Sequence, residues 1–336
     1  MTSTARAHRL RLVLAFAAVY LIWGSTYLGI RLAIDSIPPL IMAGTRLLLA
    51  GALLMAWARA RGAAWPTPAE WRSTALIGIM LLAVGNGTVT WSEQKVPSGL
   101  VALMVATVPI WMSLLSRLGA ERGARPVLSG RVLLGVLMGV AGIALLIGPG
   151  AVAGQGHIDP VAATALALSS FSWALGSLIA RRIPLPRSPM VATAAEMLIA
   201  GAVLTAAGFA VGEGPRLRFD AMTPVSLGAF VYLVTFGSIV AFTAYVWLLR
   251  VSTPARVSTY AFVNPVVAVL LGWAILGESL TARTGIAAAI IIGAVAMITS
   301  APAPSVARMV PAPVSGDGAE EGLAAGANTR SGVVGK

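Results

Sequence analysis

Residues 12–34, LVLAFAAVYLIWGSTYLGIRLAI, decide the fold class of this chain, because they form a long apolar segment whose single charged residue is Arg31. About 20 apolar residues in a helix cross the roughly 30 Å hydrocarbon core of a bilayer. The segment is too long for a cleavable signal peptide, and further apolar segments follow it. It therefore predicts the first transmembrane helix of a membrane protein.

Apolar segments of similar length recur along most of the chain. Of its 336 residues, 57% are hydrophobic and 11% are charged, whereas soluble proteins carry about 25% charged residues. Charged or Pro/Gly-rich breaks separate ten such segments, which we name spans 1 to 10. They cover residues 12–34, 39–58, 73–91, 97–116, 132–147, 160–180, 190–211, 224–249, 257–276 and 284–300. The predicted fold class is an all-α integral membrane protein with ten transmembrane helices.

The basic residues predict the orientation of these spans. The formal net charge is +12, and most Arg residues fall in one set of alternate connections. The opposite connections hold only Lys95, Arg216, Arg218 and Arg283. Because cytoplasmic loops are enriched in Lys and Arg, we expect both termini to be cytoplasmic and the protein to lie in the cell (inner) membrane. The bases flank apolar segments and form no patch, which excludes nucleic acid as a partner.

Few residues of the chain are suited to catalysis or metal binding. It contains no cysteine, and its two histidines, His8 and His157, fall in a predicted tail and a predicted loop. A thiolate nucleophile, a Cys-based metal site and a Ser-His-Asp arrangement therefore lack their residues. No G-x-x-x-x-G-K-[ST] motif of an ATP-driven pump occurs. We predict no cofactor, no metal and no enzyme; a membrane-embedded enzyme is the alternative from a different class.

Two halves of the sequence repeat each other at a nearly fixed offset. Trp23 and Trp173 lie 150 residues apart, as do the triplets 50–52 and 200–202, both Ala-Gly-Ala. Arg31 and Arg181 and Pro39 and Pro189 share this offset. An ordered series of matches predicts a duplication. Residues 12–148 and 159–300 form the predicted repeats, followed by a predicted disordered cytoplasmic tail at 301–336.

Each predicted repeat contains five helices, and this odd number would insert the second copy upside down relative to the first. Inverted repeats related by an axis in the membrane plane are common in secondary transporters. They supply two equivalent states of one scaffold, as alternating access requires. Duplication retained only for packing is the alternative interpretation.

Several motifs of this chain resemble the drug/metabolite transporter superfamily, and most closely its ten-helix EamA family. The resemblance rests on LIWGSTY at 21–27 with Arg31, Pro39 and Arg46, then FVNP at 262–265, Gly272, and LGESLT at 276–281. Val108 and Pro109, with a distant Glu121, form a weaker counterpart in the first half, where a longer connection follows. The resemblance covers about residues 12 to 300 and implies export of small metabolites, often amino acids, from bacteria.

Two ionisable residues lie inside spans at equivalent positions of the repeats, Arg46 and Glu196. Charges inside a membrane are costly and mark functional sites. Arg46 resembles an Arg of the family and is expected to anchor helix packing through backbone carbonyls, or to serve function directly. Glu196 is the predicted proton carrier; the alternative is a carboxylate paired with Arg181 or Arg187. At about 1.5 Å per residue the two side chains lie near opposite surfaces and are not expected to meet.

Polar and aromatic side chains within the spans are the predicted substrate contacts, since they supply hydrogen bonds and stacking without net charge. Spans 1 and 3 are expected to form one cluster, and spans 6 and 8 another, with additions from spans 4 and 9. The candidates are Trp23, Ser25, Tyr27, Asn86, Trp111, Trp173, Ser177, Tyr245, Tyr260 and Asn264. For most hydroxyls, the alternative is hydrogen bonding between helices.

Pro109 and Pro265 are each expected to interrupt a span and to free a backbone carbonyl for gating. Spans 5 and 10 differ from the others, because small residues share one face of each helix. These are Gly135, Gly139 and Gly142, and Gly285, Ala289 and Gly293. The pattern predicts a packing surface for scaffold or self-association, which leaves a monomer and a homodimer through spans 5 and 10 both open.

The predicted function is therefore a secondary transporter that exports small metabolites by alternating access, with neutral amino acids, including aromatic ones, as the favoured substrates. Export of hydrophobic cations ranks second. Anionic substrates rank third, because they would need several buried bases and only Arg46 qualifies. Proton antiport and passive facilitation both stay open at this stage.

Overall fold

Helices account for nearly all regular structure of the chain. The computed structural model describes residues 3–118, 130–147, 159–252, 257 and 260–299. Its α-helices are α1 Ser3–Ala33, α2 Pro39–Ala60, α3 Pro68–Gly78, α4 Gly87–Ser92, α5 Ser98–Val105, α6 Val108–Leu118, α7 Gly130–Ile147, α8 Pro160–Ile179, α9 Pro189–Ala210, α10 Pro224–Tyr232, α11 Ala241–Val251, α12 Tyr260–Leu276 and α13 Ala282–Thr299. Two π-helical segments, π1 Ile79–Asn86 and π2 Leu233–Val240, join α3 to α4 and α10 to α11. Within the described ranges no strand occurs, and the predicted all-α class is confirmed.

Prolines and polar caps determine where many helices begin. The first residues of α2, α3, α8, α9 and α10 are Pro39, Pro68, Pro160, Pro189 and Pro224. A proline in the first turn costs no hydrogen bond, because the N–H that it lacks would have no partner within the helix. Thr67 and Glu70 form a reciprocal capping box at the start of α3, and Asp159 accepts from two main-chain amides at the start of α8. Local sequence thus fixes these boundaries.

Each predicted span corresponds to one helix or to consecutive helices. Six segments are long and apolar enough to cross a membrane: Ala7–Ala33, Pro39–Ala60, Pro68–Ser92, Pro160–Ile179, Pro189–Ala210 and Pro224–Tyr245. Spans 4, 5, 9 and 10 correspond to shorter apolar helices, Ser98–Met112, Gly130–Gly142, Val263–Leu276 and Ala282–Ile298. The ten crossings and the cytoplasmic termini stay predictions. The tail at 301–336, His157 and Glu121 lie outside the described residues, whereas His8 lies in α1.

The two π-helical segments lie at corresponding places in the two halves. A π-helix is rare and often marks a functional site, since its wider turn leaves carbonyls poorly paired. Ser169 Oγ of α8 donates to the Gly85 carbonyl on π1 at 3.2 Å, and Trp23 Nε1 of α1 donates to the Gly237 carbonyl on π2 at 3.1 Å. Each half therefore bonds directly to the main chain of the other half's π segment.

Helices α2 and α9 form the central contact between the halves, and their residues pair in opposite order along the chain. A Cβ built on Gly51 would lie 3.0 Å from the Leu198 amide nitrogen, and one built on Gly201 would lie 2.7 Å from the Leu48 amide nitrogen. Gly201 and Leu198 lie 150 residues after Gly51 and Leu48, so the repeat offset relates the two contacts. We call this α2–α9 contact the seam.

Helices α7 and α13 pack against each other at a second contact between the halves. Gly135 lies against Ile298, and Gly142 lies against Ile291. The small-residue face of α7 is therefore covered within one chain. On α13, a Cβ built on Gly293 would lie 4.0 Å from Met138 of α7, whereas Gly285 and Ala289 are exposed.

Two glutamates from the second half cap helices of the first half. Glu213 accepts from the main-chain amides of Leu40 and Ile41 at the start of α2, at 3.2 and 2.9 Å. Glu278, from the LGESLT motif, accepts from the Ser98 amide at 2.7 Å and hydroxyl at 2.8 Å at the start of α5. A carboxylate at a helix N-terminus satisfies unpaired amides and complements the helix dipole.

The two proline positions differ. Span 4 is divided between α5 and α6, and Pro109 is the second residue of α6. Span 9 is not interrupted at Pro265 as expected, because α12 continues from Tyr260 to Leu276 with Pro265 inside it. The chain keeps its helical conformation at Pro265, although proline lacks the N–H that would donate to the preceding turn of α12.

Candidate functional site

Four aromatic rings meet where α1 contacts α11 and α12. The Trp23 ring centroid lies 5.6 Å from that of Phe242, 5.1 Å from that of Tyr245 and 5.2 Å from that of Tyr260. Tyr245 and Tyr260 are also 5.9 Å apart and nearly perpendicular. We call these four residues the Trp23 cluster. It joins three predicted site residues, and Phe242 is an addition that the sequence prediction missed.

The orientation of Trp23 follows from the π-helical segment beneath it. Its indole N–H donates to Gly237 of π2, and Gly237 also lies beside Thr26, one turn along α1. The next residue, Gly24, permits close packing of α1 against Val267 of α12. The ring is therefore fixed by main-chain contacts, and its partners come from the other half of the chain.

Polar groups next to the Trp23 cluster are already engaged. The Ser25 hydroxyl bonds to the Tyr232 hydroxyl at 2.6 Å and donates to the Ile22 carbonyl at 2.9 Å. The Asn264 amide nitrogen faces the carbonyl oxygens of Tyr20 and Tyr260, each at 3.2 Å, and donates to both. Asn264 thus links α12 to α1.

The remaining aromatic candidates have other neighbours. Trp111 of α6 meets Phe171 of α8 edge to face, with 5.6 Å between ring centroids. Trp173, the repeat equivalent of Trp23, lies against Gly85 of π1, and the Ser177 hydroxyl donates to the Trp173 carbonyl at 2.7 Å. The expected grouping of span 1 with span 3 and span 6 with span 8 is thus wrong for the tryptophans, since each packs across the halves.

The two charged candidates differ in their partners. Arg46 Nη2 donates to the side-chain oxygen of Asn86 at 2.6 Å, and not to the expected backbone carbonyls. Its Nε has no hydrogen-bonding partner within the described ranges. Glu196 lies beside Gly78 of α3. In the part of the chain that the structure describes, Glu196 forms no ion pair with Arg46, Arg181 or Arg187.

A buried carboxylate that the sequence prediction missed lies just beyond α4. Glu93 is 1% exposed, and neither of its carboxylate oxygens has a hydrogen-bonding partner among the described residues. It precedes Gln94 and Lys95, and this polar run resembles a solvated loop. The chain before it is apolar, however, and Arg31 of α1 donates to the Glu93 carbonyl at 2.7 Å. Arg31, at the matching end of span 1, was the signal in the sequence that could have pointed to Glu93.

Tyr27 lies between Glu93 and the Trp23 cluster. It is half-buried on α1, one turn beyond Trp23 and one turn before Arg31. Its phenol lies within electrostatic range of both Glu93 and Tyr260. The aromatic site and the buried carboxylate are therefore connected through one polar side chain.

Comparisons with known proteins find similar chains over most of its length. The model of the EamA-like transporter family matches residues 10–148 and 161–300. The chain is 43% identical over 311 residues to the uncharacterized inner membrane transporter YedA of Escherichia coli K12, covering 91% of this chain and 96% of the relative. It is 26% identical to the uncharacterized transporter sll0355 of Synechocystis, covering 80% and 83%. A solved crystal structure matches with a TM-score of 0.58 at 21% identity, covering 86% of this chain and 97% of the other.

Proposed function

We propose, from the premise that this chain belongs to the EamA-like transporter family and is a transporter of the inner membrane, that it exports neutral amino acids, including aromatic ones. Family membership and the names of its relatives favour a transporter over an enzyme. Alternating access between two inverted five-helix repeats, at residues 12–148 and 159–300, is the proposed mechanism. The seam supports it, because its two contacts are exchanged by the repeat offset.

The Trp23 cluster carries the proposal for the substrate. Its four rings are partly exposed, and none of its side chains has a charge that would exclude a zwitterion. Aromatic pairs contribute about 0.5–1.5 kcal/mol beyond the burial of their area, and ring faces attract an ammonium group. An aromatic amino acid offers both groups to this site.

Hydrophobic cations form the second candidate class, and the same cluster supports it. Cages of aromatic rings are the usual recognition site of quaternary ammonium groups. The two classes differ in the carboxylate, which only the amino acid carries. Competition between an aromatic amino acid and its decarboxylated amine therefore separates them.

The proposal is tested by counterflow of labelled phenylalanine in proteoliposomes. We expect exchange by the wild type, inhibition by unlabelled aromatic amino acids, and little inhibition by phenethylamine. Trp23→Leu is expected to raise the half-saturation of exchange about tenfold. Trp273→Leu is the matched control, because Trp273 is 55% exposed on α12. If phenethylamine or a lipophilic cation exchanges and amino acids do not, the second class is correct.

Two carboxylates of this chain, Glu196 and Glu93, are candidates for coupling export to a proton gradient. Glu196 is the one predicted from its place inside span 7, and it is half-buried without an ionic partner within the described ranges. If Glu196 carries the proton, Glu196→Gln is expected to abolish the response to a pH gradient while substrate exchange continues. The same measurement separates antiport from facilitation, which shows no gradient response in the wild type.

A further inference from the structure

Glu93 is the most completely buried acidic residue that the structure describes. It is 1% exposed, and both carboxylate oxygens have no hydrogen-bonding partner among the described residues. An ionised carboxylate buried without donors is strongly disfavoured, and such a group becomes neutral by binding a proton. Glu196, in comparison, is only half-buried.

The charged and titratable groups around Glu93 come from three elements besides its own loop. Tyr27 and Arg31 lie on α1, Arg46 lies on α2, and Glu278 follows α12. Three of them form hydrogen bonds with groups other than the Glu93 carboxylate. Arg31 donates to the main chain of Glu93, Arg46 donates to Asn86, and Glu278 accepts at the start of α5. Lys95, on the same loop as Glu93, pairs with Asp159 at 3.0 Å.

Glu93 lies beyond the last residue of α4, outside the span Pro68–Ser92. Burial raises the pKa of Glu93, and the neighbouring Glu278 raises it further, whereas Arg31 and Arg46 lower it. Burial and the like charge prevail, which favours the protonated form in this conformation. Separation of α1 and α2 around Glu93 would admit water or free the Arg46 guanidinium, and either would favour release of the proton.

We propose that Glu93 is the proton-binding site of the transport cycle, and that its proton is released to water when the helices around it separate. The inference rests on the proposed function and assigns the coupling to Glu93 in place of Glu196. Tyr27 connects this carboxylate to the Trp23 cluster, so occupancy of the aromatic site and protonation of Glu93 affect each other through one helix.

The first test compares Glu93→Gln, Glu93→Asp and Glu196→Gln in proteoliposomes, with phenylalanine counterflow and gradient-driven transport measured on the same vesicles. Glutamine mimics the protonated carboxyl, so Glu93→Gln is expected to keep counterflow and lose the stimulation by a pH gradient. Glu93→Asp is expected to restore it, and Glu196→Gln to keep it. Stimulation that persists in Glu93→Gln, or is lost in Glu196→Gln alone, overturns the proposal.

A second test uses the unmodified protein and does not depend on its substrate. Dicyclohexylcarbodiimide is an apolar reagent that adds to protonated carboxyls, and mass spectrometry of peptides locates the adduct. Labelling of Glu93 that declines as the pH rises is expected, with the partly exposed Glu70 as an unlabelled control. Absence of label on Glu93 overturns the proposal. If wild-type vesicles exchange no amino acid, the proposed function fails and this labelling alone decides on Glu93.

Discussion

Trp23 and Trp173 occupy equivalent places in the two halves of the chain, yet their surroundings differ. Trp23 donates to the main chain of π2 and contacts three aromatic rings. Trp173 lies against π1 at Gly85. The helices, π segments and seam thus agree between the halves, whereas the side chains at the candidate site do not. The shared parts belong to the scaffold, and the divergent parts belong to the proposed substrate site.

The same contrast holds for Arg46 and Glu196. Arg46 is bonded to Asn86, whereas Glu196 forms no ion pair in the part of the chain described. Opposite charges at equivalent positions indicate that the duplicated sites have separated in role. We expect substitutions at the seam to have equal effects in both halves, and substitutions at the site to have unequal ones.

The largest effect is expected at the seam. Gly51→Ala and Gly201→Ala each place a Cβ within about 3 Å of main-chain atoms, and overpacking of this kind costs about 1–3 kcal/mol. Both variants should lower the melting temperature in detergent by similar amounts. Gly228→Ala, where no atom lies within 4 Å, is the control and should not destabilise. Clearly different losses at Gly51 and Gly201 would contradict the symmetry of the seam.

Unequal effects are expected for the two tryptophans. Trp23→Leu removes three ring contacts and an indole hydrogen bond, and a loss of about 1.4 kcal/mol of binding corresponds to a tenfold lower affinity. Trp173→Leu should change the counterflow half-saturation of phenylalanine much less. Equal shifts in both variants would show that the two halves contribute alike and that the Trp23 cluster is not the recognition site.

The capping glutamates test a smaller asymmetry. Glu213→Gln and Glu278→Gln each remove a carboxylate from a helix N-terminus of the first half, and loss of a cap costs about 0.5–2 kcal/mol. Thermal unfolding in detergent should report a moderate loss for both. The control Glu70→Gln acts on an exposed cap within one half and is expected to cost less. An unchanged melting temperature in both variants would mean that the caps contribute no stability.

The smallest effect is expected for Asp159, whose pairing with Lys95 joins the halves at the surface. The bond from Lys95, followed by those from the amides at the start of α8, lowers the pKa of Asp159. A carboxyl whose pKa is lowered on folding stabilises the fold at pH values above its ordinary pKa. This stabilisation is lost as the pH falls through the folded-state pKa. Asp159→Asn should therefore lose slightly in melting temperature at neutral pH and match the wild type in acid. Lys95→Gln is the complementary control at neutral pH.

Most of the fold follows from the sequence because apolar length and proline positions are local signals. Boundaries such as Pro39 and Pro189 were predictable to within one residue. The π segments were not, since Leu233–Val240 has the same apolar pattern as an α-helix, and the extra residue per turn depends on tertiary contacts. The aromatic partners of Trp23 were also missed in part, because an offset between repeats does not tell which half packs against which.

Glu93 shows a further limit of the sequence. Its neighbours Gln94 and Lys95 are exposed, and a chain that turns sharply between two helices buries one side chain while it exposes the next. The tertiary packing around this loop decides which of the three is covered. Arg46 was recognised because it interrupts an apolar run, whereas Glu93 stands where polar residues are expected.

The two capping glutamates also constrain the order in which the protein is assembled. The first half is synthesised before Glu213 and Glu278 exist, so the starts of α2 and α5 enter the membrane without these carboxylate caps. They gain their partners only when the connections after α9 and α12 have been made and placed. The first half therefore completes its fold late, and a chain truncated before Glu213 would retain two open helix ends for the cell's quality control to recognise.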